Sequence, residues 1–185
     1  MKSNHTITLS IAAISALLLL SSCASPITKN PQNAFFDTLS SLCGERFEGV
    51  MTFPTEGQDS FANKKLIAKF DSCNNEYVKI PFAVGDDTSR TWVITQRASG
   101  LELKHDHRHA DGTPDDINLY GGSTQNSGSA LSQSFFADDH TKKLIPNAST
   151  NVWTISFNAN KTELKYHLER HQRPRFTAKL QLVKE

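Results

Sequence analysis

The spacing of hydrophobic positions changes twice along the chain. Residues 7–20 form an almost unbroken apolar run. Within residues 33–43 the apolar side chains recur at intervals of three and four, which predicts a short amphipathic helix that ends at Gly44. From Phe47 onward the spacing becomes two, which predicts β-strands. The predicted strands are 47–53, 66–70, 77–84, 91–95, 101–109, 117–120, 130–136, 152–157, 162–170 and 176–183, with one helical turn at 138–144 and a loop at 121–129.

Nine or ten short strands with no crossover helices between them favour an all-β fold. We expect an antiparallel barrel with a short N-terminal helix, and a β-sandwich is the alternative. The segment Gly44–Gly49, which follows the helix and opens the first strand, resembles the entrance to calycin-type barrels such as lipocalins and fatty-acid-binding proteins. Phe47 stands where lipocalins favour a tryptophan.

The first twenty-three residues resemble a bacterial lipoprotein signal. Lys2 provides a positive start, the apolar run follows, and Leu20-Ser21-Ser22-Cys23 matches a lipobox. The run has 14 positions, which is short of the ~20 residues that a helix needs to span a bilayer. The resemblance implies a cut after Ser22, a diacylglycerol on the Cys23 thiol and an acylated new amino terminus.

This resemblance divides the chain into a signal peptide at 1–22, a lipidated cysteine and tether at 23–32, and one barrel domain at 33–185. In Gram-negative lipoproteins an aspartate after the cysteine usually signals retention in the inner membrane. Ala24 stands there instead, which points to anchoring in the outer membrane. The alternative is an ordinary secretory signal cut at Ala24, which would leave a free soluble protein.

Composition limits the partners. Removing the first 22 of 185 residues would leave 163, with 19 basic and 19 acidic side chains. A net charge near zero argues against nucleic acid, which requires a basic face. We expect a monomer that contacts membrane lipids through its acyl anchor.

The cysteines agree with export. If Cys23 carries the lipid, Cys43 and Cys73 remain as a pair, and in an oxidising compartment such a pair predicts a disulfide. The alternative is a catalytic cysteine, which would need a lowered thiol pKa and a nearby histidine.

The segment 101–109 concentrates the candidate chemistry. Side chains alternate between the two faces of a strand, so His105, His107 and His109 share one face with two leucines, while the other face is charged at every position. The histidine row should therefore face inward and line the mouth of a barrel. Three interpretations remain open. His105 could be hydrogen-bonded inside with the other two solvated, the row could form a polar ligand-binding rim, or it could hold a metal such as zinc through His105 and His107.

A second polar row ends the strand at 162–170. Alternation places Tyr166 and Arg170 on its inward face. An inward arginine at a strand end could bind an anionic ligand group, and the alternative is an ion pair with an aspartate or glutamate.

No nucleophile elbow, metalloprotease motif, phosphate loop or dinucleotide fingerprint is found in the sequence, so no catalytic residue is predicted. The segments 80–85, 105–115 and 168–171 resemble a small group of exported bacterial proteins of unassigned activity. The leading hypothesis is an outer-membrane lipoprotein whose barrel binds a small or lipid-like ligand. The alternatives are a metal-dependent hydrolase using the histidine row and a structural or interaction lipoprotein with a solid barrel.

Overall fold

The computed structural model describes residues 30–53, 61–125 and 128–184. The predicted lipidation site Cys23 and most of the predicted tether lie outside these residues. Within the described ranges, no helix is both long enough and apolar enough to cross a membrane.

One helix precedes eleven strands. The helix α1 spans Pro31–Ser41, and Asn30 caps it by accepting a hydrogen bond from the Gln32 N–H. Pro31 occupies the first helical turn, where its missing N–H costs nothing. The helix therefore starts two residues before the predicted one. The strands are β1 Arg46–Phe53, β2 Leu66–Lys69, β3 Ser72–Cys73, β4 Tyr77–Val84, β5 Asp87–Arg97, β6 Gly100–His107, β7 Tyr120–Thr124, β8 Ser132–Ala137, β9 Val152–Phe157, β10 Glu163–Arg170 and β11 Arg173–Val183. Between β8 and β9 lie the short helix α2, Asp139–Leu144, and a 3-10 turn, Pro146–Ala148.

Ten strands form a closed antiparallel barrel. The sheet order is β2-β1-β11-β10-β9-β8-β7-β6-β5-β4-β3, and an additional β2–β4 pairing closes the ring. The two-residue β3 pairs with β4 beside β2. Pro81 of β4 falls between the stretches that pair with β2 and with β3, where no N–H donor is required on that side. The predicted barrel is confirmed and the sandwich alternative is wrong.

The helix α1 covers one end of the barrel. Phe35 of α1 is fully buried, and its ring lies 6.3 Å from that of Phe157. Phe47 and Phe70 pack against the same region, with 5.7 Å between their ring centroids. Leucines and isoleucines fill the barrel next to these rings. This half of the interior is therefore packed with buried apolar side chains.

A disulfide joins the end of the helix region to β3. Cys43 and Cys73 are bonded, with 6.2 Å between their Cα atoms and a sequence separation of 30. The predicted pairing is confirmed. Gly44 follows with φ of +92°, and its N–H donates to the Phe70 carbonyl oxygen at 2.7 Å. The left-handed conformation at Gly44 turns the chain from the helix into β1, as the sequence predicts.

The predicted loop at 121–129 is partly wrong, because β7 occupies Tyr120–Thr124. A Cβ atom added to Gly121 would lie 1.9 Å from the Leu103 oxygen, and one added to Gly122 would lie 1.8 Å from the Phe136 oxygen. The glycines that suggested a loop are thus required by close strand contacts.

The strand predicted at 117–120 is wrong except at Tyr120. Asn118 instead forms a turn, because its Oδ1 accepts hydrogen bonds from the His107 and Leu119 N–H groups. Leu119 has a φ of +54°, which is incompatible with a strand.

Candidate functional site

The barrel interior is hollow at the end opposite α1. Strand β6 runs from Gly100, which lies against Gln32 of the helix, to His107 at the far end. There a cavity of about 290 Å³ lies half open to solvent. We call it the barrel cavity. Ile145 and Ala148, from the segment after α2, lie over part of it. The barrel is thus packed with apolar side chains beneath the helix and contains a cavity at its other end.

Seven aromatic side chains line the barrel cavity. The rings of Phe82, Trp92 and Tyr166 stack in series, with centroid distances of 4.4 Å and 4.3 Å. Trp153 lies 6.2 Å from Tyr120, centroid to centroid. These side chains come from several strands whose inward positions meet at one level of the barrel. The aromatic residues of the wall are Phe61, Phe82, Trp92, Tyr120, Trp153, Tyr166 and Phe176.

His105 is buried at the base of the cavity, and both of its ring nitrogens are hydrogen-bonded. Nδ1 lies 3.1 Å from the Tyr120 carbonyl oxygen, and Nε2 lies 2.7 Å from the Tyr166 hydroxyl. A carbonyl oxygen can only accept, so Nδ1 carries the proton and donates to it. Nε2 is then the acceptor, and the Tyr166 hydroxyl donates to it.

Burial lowers the pKa of His105 from 6.5 to about 3, so the ring is neutral near pH 7. The same desolvation raises the pKa of Tyr120 to about 12 and that of Tyr166 well above 10. The buried network therefore carries no charge at neutral pH. It fixes the orientation of two rings of the wall.

His107 lies nearer the mouth and is half-buried. A hydrogen bond of 3.1 Å joins its Nε2 to the Tyr120 hydroxyl. Burial, together with the nearby Arg90 cation, lowers the pKa of His107, although Asp115, Asp87 and Asp106 oppose the shift.

Arg90 is another polar member of the wall and is paired. Its Nη1 donates to Asp87 Oδ2 at 2.5 Å, and its guanidinium lies 5.5 Å from the Phe61 ring centroid. Partial burial alone would raise the pKa of Asp87, but hydrogen bonds from Ser89 and Arg90 lower it to about 2. Asp87 is thus ionised at neutral pH and compensates the charge of Arg90.

Arg170 ends β10 on the inward face. Its Nε donates to Asn151 Oδ1 at 2.8 Å. Asn151 is buried and fixed by its backbone, because its N–H donates to the Ala148 carbonyl and its carbonyl accepts from the Ala137 N–H. Desolvation, and then the charge of Arg175, lower the pKa of Arg170.

Four of the five predicted ligand-binding residues lie together in this wall: His105, His107, Tyr166 and Arg170. His109 does not. Strand β6 ends at His107, and His109 lies on an exposed turn, where its N–H donates to the Thr113 carbonyl oxygen. The turn departs from the strand because Arg108 already pairs with Pro114 as an isolated bridge.

The geometry around His105 and His107 gives no support to the predicted metal site. Across residues 30–53, 61–125 and 128–184, no group of three or more His, Cys, Asp or Glu side chains could hold a metal ion. An ion at His105 would have to displace either the Tyr166 hydroxyl or the Tyr120 carbonyl.

Several wall residues were not predicted as site residues. Their β-branched neighbours in the sequence predict that Trp92 and Trp153 are core residues, and both side chains are almost fully buried. Their contribution to the cavity follows from register, since Trp92 pairs with His105 and Trp153 with Leu168. The sequence pattern does not indicate the role of Asn151, because that role depends on the turn that precedes β9.

Comparison of the chain with known protein families, with curated proteins and with solved structures finds no match.

Proposed function

We propose that this protein is a lipid-anchored envelope protein whose barrel cavity binds a small or lipid-like ligand. The observation that carries the proposal is the cavity of about 290 Å³, with aromatic walls and a few polar groups, at the hollow end of the barrel. Ligand pockets are typically concave and mostly apolar, with a small number of placed polar groups, and range from roughly 300 to 1,000 Å³. This cavity is at the small end of that range.

Two features favour binding over the alternatives. A solid barrel would fill its interior throughout, whereas here only the half beneath α1 is filled. A metal-dependent hydrolase using His105 would need a ring nitrogen free to ligate the ion, and both nitrogens are hydrogen-bonded to the protein.

Isothermal titration calorimetry with 2-naphthylmethanol, a small uncharged aromatic probe, tests the binding proposal. The sample is the processed chain, residues 23–185, with Cys23→Ser, so that no acyl chain competes for the cavity. Ala148→Phe adds a ring at a buried wall position, and we expect it to abolish binding. Val50→Phe adds the same ring at a side chain that is 52% exposed outside the barrel, and binding should persist. Absence of binding to the unblocked chain, or equal binding to the Ala148→Phe variant, would refute the proposal.

The anchoring proposal has a separate test in a Gram-negative host. In the wild type, we expect the product to carry the mass of the acyl groups on residue 23 and to sediment with the outer membrane. Cys23→Ser should lose both the added mass and the sedimentation. Ala24→Asp should keep the added mass and move the protein to the inner membrane. Unchanged mass and sedimentation after Cys23→Ser would contradict lipid anchoring.

A further inference from the structure

Arg170 lies in the wall of the barrel cavity, where one nitrogen of its guanidinium is hydrogen-bonded. Its Nε is committed to Asn151 Oδ1 at 2.8 Å, and Asn151 is itself 4% exposed. No described residue accepts a hydrogen bond from either Nη group of Arg170. Asn151 therefore orients the guanidinium and leaves its two terminal nitrogens available as donors.

The charge of Arg170 also lacks a partner in the described ranges. No carboxylate of residues 30–53, 61–125 or 128–184 lies within 4.0 Å of its guanidinium. Arg90, the other arginine of the wall, differs because Asp87 neutralises it. The predicted alternative, in which an aspartate or glutamate pairs with Arg170, is therefore wrong for this part of the chain.

The cavity wall thus contains one uncompensated positive charge, that of Arg170, which also borders an outer groove beside Arg173 and Arg175. Its described wall contains no aspartate or glutamate, and His105 is neutral. The charge that lowers the pKa of Arg170, after desolvation, is that of a second cation, Arg175. A partly desolvated cation in the wall of a cavity favours an anionic partner, because its lost hydration is otherwise uncompensated.

Resting on the proposed function, we infer that the ligand is a small organic acid. Its carboxylate binds the two terminal nitrogens of Arg170, and its apolar body lies against Trp92 and Trp153. A carboxylate matches the fork of a guanidinium and can accept two parallel hydrogen bonds. The cavity volume of about 290 Å³ suits a body of one or two rings better than a long acyl chain.

A matched pair of probes tests this inference by calorimetry on residues 23–185 with Cys23→Ser. 2-Naphthoate and 2-naphthylmethanol share the same ring system and differ in the charged group. We expect the carboxylate to bind about tenfold to a hundredfold more tightly than the alcohol, the range of a charge-assisted hydrogen bond. Binding of both probes with equal affinity, or tighter binding of the alcohol, overturns the inference and leaves the proposed function standing. Binding of neither probe overturns both.

Three variants test which residue causes the preference for 2-naphthoate over 2-naphthylmethanol. Arg170→Gln should abolish the preference for 2-naphthoate over the alcohol. Asn151→Asp places a carboxylate next to Arg170 and should remove the preference in the same way. Arg173→Gln is the matched control, because it removes an exposed arginine of the same hairpin that lies outside the cavity wall, and the preference should change less than threefold. If the preference survives Arg170→Gln, the role of Arg170 is contradicted. If Arg173→Gln reduces the preference as much as Arg170→Gln does, the preference arises from the general charge of the hairpin, which also contradicts the role of Arg170.

Discussion

The buried neutral His105 should make the stability of the barrel depend on pH. Its pKa is about 3 in the folded protein and 6.5 when unperturbed. Below pH 6.5 the unfolded chain binds a proton at this position and the folded chain does not, so lowering the pH favours unfolding. The stabilisation is complete above pH 6.5 and is lost progressively as the pH falls toward 3.

The magnitude follows from the two pKa values. Between pH 7.5 and pH 4.5, this single group should reduce the free energy of unfolding by roughly 3 kcal/mol, at about 1.4 kcal/mol per pH unit once well below 6.5. Carboxylates contribute as well, so the comparison must be with a variant. His105→Gln keeps a donor for the Tyr120 carbonyl and an acceptor for the Tyr166 hydroxyl but does not titrate.

The assay is urea unfolding of the wild type and of His105→Gln at half-unit pH steps, followed by tryptophan fluorescence. The free energy of unfolding of the wild type minus that of His105→Gln should fall by roughly 3 kcal/mol from pH 7.5 to pH 4.5. His109→Gln is the control, because His109 is an exposed turn residue, and its curve should stay parallel to that of the wild type. Parallel curves for His105→Gln and the wild type would refute the assignment of His105 as a buried neutral ring.

Two further predictions concern stability. Tyr166→Phe removes the hydroxyl that donates to His105 Nε2 and leaves a buried acceptor unpaired, which should cost roughly 1–3 kcal/mol in urea unfolding. Tyr77→Phe is its control, since Tyr77 is half-buried and its hydroxyl bonds to no described residue; equal losses in the two variants would contradict the role given to Tyr166. Reduction of Cys43–Cys73, which closes a loop with a sequence separation of 30, should lower the free energy of unfolding by about 3–4 kcal/mol. The double variant Cys43→Ser/Cys73→Ser should then be insensitive to reductant, and an unchanged unfolding midpoint on reduction of the wild type would contradict a stabilising disulfide.

The barrel could be predicted because hydrophobic and polar positions alternate clearly along its strands. In β10 the inward row of Leu164, Tyr166, Leu168 and Arg170 follows from alternation alone, and all but the first line the cavity. The boundaries of β4 and β9 agree with their predicted ranges for the same reason. Alternation records which face is buried, and in a closed barrel that face is the interior.

The sequence could not show that half of the interior is hollow. Trp92 and Trp153 have the same pattern as side chains that fill a core, and only the register between strands places them around a cavity. Alternation continues to His109 and therefore predicts a longer strand than β6, which ends at His107. Hydrogen bonds to Asn118 and Thr113 turn the chain away at this point. Turn geometry of this kind depends on single side-chain contacts that a periodic pattern does not encode.

The proposed function requires that the barrel cavity admit a small ligand among its aromatic rings. The chain contains two tryptophans, Trp92 and Trp153, and both belong to the cavity wall. NMR of residues 23–185 with Cys23→Ser and ¹⁵N-labelled indoles therefore observes the site directly. Addition of 2-naphthylmethanol should shift both indole signals in this chain and neither in its Ala148→Phe variant. Signals that do not move in the first protein, or that move equally in both, would contradict the proposed function.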